Sequence, residues 1–155
     1  QSFPKYHEFK QRKVLLKLES LQKLLKDKTA VIEYVIGDSA VHIFKLTKKK
    51  LSWKMIPMDK NLLENNIDAL HSSLSNYSLI QRQEKKAYRQ YTLKAYWFYQ
   101  QLLKPVLDSN SSINNLVIIT DGILGHLPFE SFLTMPAPQS LSDYHRLAII
   151  IAWLI

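Results

Sequence analysis

The sequence predicts an α/β fold: a mixed sheet with flanking helices and an antiparallel meander at its front. Three observations carry that expectation. Residues 29–57 hold three β-branched and aromatic runs separated by short turns, residues 61–107 switch to a helical period, and residues 116–120, "LVIIT", return to a strand that is apolar on both faces. Hairpins followed by helix, strand, helix and strand give the element order of a mixed sheet.

Before the first strand, residues 7–27 read as an amphipathic helix. Val14, Leu18, Leu21 and Leu25 recur at spacings of four, three and four, the 3.6-residue period. Lys10, Lys13, Lys17, Lys23 and Lys26 fall mostly between them. One striped helix cannot bury its stripe alone. Residues 1–28 are therefore expected to be a linker helix that packs on the following domain or closes an upstream helical array, with the domain itself at 29–155.

The meander comes next. "TAVIEYVIG", "AVHIFKLT" and "LSWKMIP" are joined by Gly37-Asp38-Ser39 and Lys48-Lys49-Lys50, loops short enough for antiparallel hairpins. In the third run Leu51, Trp53 and Met55 point one way and Ser52 and Lys54 the other, so one face should be wet. The first run is apolar on both faces apart from Glu33 and should lie further inside. The lysine triplet reads as a soluble hairpin tip rather than a phosphate grip.

Two helical stripes follow, Leu63, Ile67, Leu70 and Leu74, then Tyr88, Tyr91, Ala95, Phe98 and Leu102. Between them "SNYSLIQRQEKK" reads as a polar, mobile link. Tyr88, Tyr91, Tyr96 and Tyr99, with Trp97, could form a stacking platform for bases or sugars. At helical spacing, core packing is the more ordinary role. Pro105 should end or kink the second helix, and "DSNSSINN" is a loop.

"LVIIT" should be a strand inside a sheet covered by helices on each side. Asp121-Gly122 turns the chain at its carboxyl end. Pro128 suits the first turn of a helix, where its missing N–H costs nothing, so "PFESFL" should start one. "MPAPQSLSDYHR" is a loop and "LAIIIAWLI", residues 147–155, a second buried strand. Burying its seven large apolar side chains is worth about 1.5–3 kcal/mol each, on the order of 10–20 kcal/mol together, as much as a whole domain's stability. Such a strand belongs in mid-sheet with more chain to cover it. A fragment of a longer domain, or self-association through residues 147–155, is expected.

Composition narrows the chemistry. A chain of 155 residues with 46% apolar residues can build one core. There are no cysteines, which excludes a disulfide scaffold, a thiolate nucleophile and a Cys-ligated zinc within this chain. The opening "QSFPKYHEFKQRK" is polar and basic, unlike a secretory leader. The longest apolar run, 147–155, falls short of the ~20 residues of a membrane span. A cytoplasmic protein without membrane contact is expected. The net charge of +8 is uneven: residues 1–28 carry +5, and residues 111–155 carry −2. Basic charge invites nucleic acid or acidic partners, but a solvated lysine surface is favoured because no reader motif accompanies it.

The five histidines show no ligand spacing, and no metal or cofactor is expected. His126, five residues after Asp121, forms a lone pair without a third ligand. No G-x-S-x-G elbow, Walker loop or G-x-G-x-x-G occurs.

"LVIITDGILGHLPFESF", residues 116–132, resembles the signature of CHAT domains, caspase-like domains often found after tetratricopeptide repeats. Their pattern is a hydrophobic strand, Asp-Gly, a short spacer and Leu/Ile-Pro-Phe-Glu; separases have a similar strand followed by Leu-Pro-Trp-Glu. "VIEYVIGDSAVHIFKLTKKKLSWKMIP" is similar to the meander that opens these domains, and "YWFYQQLLKPVL" resembles the helix before the signature strand. The resemblance covers about residues 29–135. It implies the amino-terminal portion of a caspase-like sheet, with residues 1–28 leaving a repeat array.

Where active, the family is a cysteine endopeptidase using a His base and a Cys nucleophile. Both are expected beyond Ile155, so no catalytic residue is expected here and this chain should be inactive. Family members that lack the dyad serve as scaffolds, so the parent is either a peptidase acting on a substrate polypeptide or an interaction module with a protein partner. Asp121, Gly122, Leu127, Pro128, Phe129 and Glu130 are then structural. Gly122 should take a backbone conformation that a Cβ hinders. Phe129 should enter the core, and Glu130 should accept from exposed N–H groups at a helix start.

Overall fold

In the computed structural model, the residues described are 17–107 and 112–137. They begin with helix α1 (Leu18–Leu24). Leu25 is already extended, so the helix ends before residue 27. The start of the expected helix, residues 7–16, lies outside the described residues.

The alternating front runs form strands β1 (Thr29–Ile36), β2 (Ala40–Thr47) and β3 (Leu51–Pro57). Both pairings are antiparallel, with Ile36 opposite Val41 and Leu46 opposite Leu51 at the two turns. At the lysine tip, Thr47 Oγ1 accepts from the Lys50 N–H, and Lys48 pairs with Asp27 at 2.9 Å. One of the three tip cations is therefore already engaged.

Strand β4 (Asn115–Ile119) lies parallel to β1, and the sheet order is β3-β2-β1-β4. A parallel neighbour requires a long crossover, and helices supply it: α2 (Lys60–Ser75), α3 (Tyr77–Arg82) and α4 (Glu84–Phe98), which runs into a π-helical turn at Tyr99–Leu103. The expected mobile link between the helical stripes is thus a helix. Asn76 makes it one: its side chain accepts from the Leu79 N–H at 3.0 Å, and its own N–H closes α2 on Ser72.

Side chains alternate across a strand, which gives the sheet two unlike faces. Ile32, Tyr34, Val41 and Ile43 form one core with Leu63, Ile67 and Leu70 of α2 and with Ala95 and Phe98 of α4. Leu74 falls off that stripe and is exposed, while Ser73 is buried. On the opposite face, Val35, Leu51, Trp53, Met55, Val117 and Ile119 are exposed.

Two expectations are corrected here. In β3 the outward side is the apolar one: Ser52 and Lys54 sit opposite Lys45 and Ile43 on the core side. Strand β4, expected between helical layers inside the sheet, is an edge strand among the described residues and is half-open on one face. The final loop and strand, residues 138–155, lie outside the described residues, as does part of the loop before β4, residues 108–111.

Helix ends leave backbone carbonyls without partners, and the sheet supplies donors for two of them. The buried Tyr34 hydroxyl donates to the Leu102 carbonyl at 3.0 Å, and Lys45 Nζ donates to the Val106 carbonyl. The π turn lies just ahead of Pro105, whose ring cannot continue a regular helix. Among the described residues, no helix is long and apolar enough to cross a membrane.

Candidate functional site

The signature residues gather at the carboxyl end of β4, beside the matching end of β1. Asp121 leaves the strand in extended conformation. Its Oδ2 accepts a hydrogen bond from the Ile36 N–H at 2.9 Å. Parallel pairing of β1 and β4 stops at Glu33 and Ile119, so this carboxylate closes the gap where the ladder has run out. It is a splice between strand ends.

Gly122 has φ +50°, the left-handed region that costs little only without a Cβ. A Cβ there would meet nothing closer than Ile36 Cδ1 at 3.7 Å. The requirement is therefore backbone conformation rather than space. The chain then makes a 3-10 turn, Gly122–His126, which buries Leu124 and leaves His126 exposed.

Leu127 and Phe129 enter the core. The Phe129 ring sits 5.5 Å from Tyr34 and 5.0 Å from Phe132, and Phe132 stacks on Phe98 at 5.6 Å. Pro128 stands outside the helical region with ψ 81°, and only Phe129–Ser131 turn, as a 3-10 turn. The expected helix from "PFESFL" is thus a single turn. Its brevity has a cause: Phe129, Phe132 and Leu133 are all buried, and the Leu133 N–H is drawn to the Ala95 carbonyl of α4. An α-helix would carry those groups off the core. Glu130 is exposed and has no hydrogen bond among the described residues, so the expected capping role is not seen.

Tyr91 ties the same segment to α4 by donating from its hydroxyl to the Ser131 carbonyl at 2.9 Å. Burial, with Tyr88 nearby, pushes the Tyr91 phenol above its ordinary range. Tyr96, Trp97 and Tyr99 pack against the core. Tyr91, Tyr96, Trp97 and Tyr99 therefore act as packing, each half-buried against the core, while Tyr88 is half-buried outside it.

Chemically, the corner holds a carboxylate committed to a backbone amide, an exposed imidazole at His126, and the Thr120 hydroxyl close to Gly125. Among the described residues, no group of three or more His, Asp or Glu is placed to hold a metal ion. No buried side-chain polar atom there lacks a partner. Of the residues expected to be structural, Leu127 and Phe129 are buried, Asp121 is bonded to the Ile36 N–H, and Gly122 and Glu130 are exposed.

One surface went unread in the sequence: the open apolar face of the sheet, where Trp53 stacks on His42 with ring centroids 5.9 Å apart. The alternation in β3 signalled two unlike sides, but not which side met solvent. No protein-family model matches this chain, and no curated protein matches it.

Proposed function

We propose that this chain is the amino-terminal, non-catalytic portion of a CHAT-type, caspase-like domain from a cytoplasmic protein of the cysteine-endopeptidase class. The observation that carries the reading is the Asp121–Ile36 splice at the carboxyl ends of parallel β4 and β1. Open α/β sheets gather their reactive loops just outside that end of the strands. The outer edge of β4 is unpaired among the described residues, which leaves a place for later strands bearing a His and a Cys. In this reading, Asp121, Gly122, Leu127 and Phe129 set the corner from which those strands are registered. The upstream helical repeats and the substrate polypeptide belong to the parent protein.

The test is direct. The parent coding sequence is read past Ile155, and the whole parent protein is treated with a peptide-based thiol electrophile. A His and a Cys at strand ends, with the label on that Cys, is the expected result. Absence of both residues overturns the peptidase reading. A non-catalytic interaction module would then remain, favoured by the exposed apolar side chains Leu51, Trp53 and Met55, which form a surface suited to a protein partner.

A further inference from the structure

The outer edge of β3 carries a row of open backbone groups. Antiparallel residues alternate between pairs that exchange backbone bonds and pairs that do not. The Thr47 N–H donates to the Lys50 carbonyl, and the Met58 N–H donates to the Ser39 carbonyl. Between these two anchors, the register makes Ser52, Lys54 and Ile56 the residues that bond to β2. Leu51, Trp53 and Met55 therefore turn their N–H and C=O groups away from β2, and among the described residues no strand lies beyond β3. Their side chains are exposed on the open face of the sheet. Pro57, which has no N–H, ends the row.

One side chain marks what fits there. Lys54 stands at the middle of β3 on the other side of the strand and is exposed. It makes no hydrogen bond or ion pair among the described residues. A second copy paired edge to edge about the middle of β3 sets two Lys54 side chains directly opposite each other, and like charges so placed are destabilising. An acidic side chain at that place is attracted instead.

We propose that the β3 edge binds an extended polypeptide by antiparallel strand addition, with apolar residues opposite Leu51, Trp53 and Met55 and a carboxylate opposite Lys54. Backbone pairing supplies the grip, and alternate side chains supply the selection. Antiparallel pairing is the more stable per residue. The partner's apolar side chains fall on the open face beside Trp53 and Met55, and its carboxylate falls on the Lys54 side. Along the partner the pattern is apolar, acidic, apolar, polar, apolar, with the polar residue opposite Ser52. The inference holds whether or not the parent protein carries a His and a Cys.

The probe is a fluorescein-labelled Val-Glu-Val-Thr-Val peptide flanked by Gly-Ser, titrated onto the full chain and read by anisotropy. Replacing its Glu by Lys should weaken binding roughly tenfold, and Lys54→Glu in the chain should reverse that preference. N-methylation of the central Val, whose N–H faces β3, should abolish binding, whereas N-methylation of the Glu, whose N–H faces away, should leave it. The Trp53 and Met55 amides should exchange fast in the free chain and slowly with the peptide bound. Absent binding, equal affinity for the two peptides, or equal effects of the two N-methyl groups would overturn the proposal. So would a Lys54→Glu chain of unchanged circular dichroism that keeps the original preference. Amides already protected in the free chain, by its own residues or by a second copy, would overturn it as well.

Discussion

Tyr34 and Leu102, 68 positions apart in the chain, are joined by one hydrogen bond of 3.0 Å from the phenol to a carbonyl in the π turn. The bond links the central strand to the end of the crossover that delivers β4. Because Tyr34 is almost completely buried, water cannot replace it as donor.

Tyr34→Phe keeps the ring in contact with Phe129 but leaves the Leu102 carbonyl short of a donor. Stability should fall by about 1–2 kcal/mol, measured by urea unfolding. Burial raises the Tyr34 phenol far above its ordinary value of 10.0. The sign follows: this stability is fully present below pH 10 and is lost as pH rises toward the folded-state value, because the unfolded chain ionises first. The wild type should lose stability above pH 10 more steeply than Tyr34→Phe. A slope unchanged by the substitution would refute this. Tyr91, raised in the same direction, leaves a residual slope in the variant.

The splice at Asp121 gives a second prediction. Its Oδ2 is the acceptor for the Ile36 N–H, and an amide oxygen can do the same work. Asp121→Asn should stay within a few tenths of a kcal/mol of wild type, and Asp121→Ala should lose about 1 kcal/mol. Amide exchange at Ile36 should accelerate only in the alanine variant.

How much of this could be read from residues alone differs by element. The meander, its order and the central place of β1 were legible because alternation and short turns are local signals. Helix α3 was not: "YSLIQR" lacks a full apolar stripe, and it is held by Asn76 at its start and by packing on α4. The single turn at Phe129–Ser131 was missed because a distant contact, Leu133 to Ala95, overrides the helix start that Pro128 suggests. At the site, the need for glycine at position 122 could be read from the Asp-Gly turn, and the φ of +50° meets it. The partner of Asp121 could not, because Ile36 lies 85 positions away.

Gly122 permits a third test. Gly122→Ala places a Cβ on left-handed backbone and should cost about 1–2 kcal/mol. Gly122→Asn, whose side chain tolerates that region, should cost less than the alanine change. Reversal of that order in thermal unfolding would show that crowding near Ile36, rather than φ, governs the position.

The neighbouring pair Phe129 and Glu130 separates packing from charge within one motif. Phe129 is buried against Tyr34 and Phe132, and removing a ring of that size from a core costs about 3–5 kcal/mol. Against a domain stability of roughly 5–15 kcal/mol, Phe129→Ala should bring the chain near its folding limit. Phe129→Leu, which keeps most of the volume, should fold with a modest loss. Glu130 is exposed and makes no hydrogen bond among the described residues, so Glu130→Gln should stay within about 0.5 kcal/mol of wild type. If Glu130→Gln instead destabilised the chain as much as Phe129→Leu, the carboxylate would hold a contact at the sheet end. The motif would then act through charge as well as through the ring that anchors it.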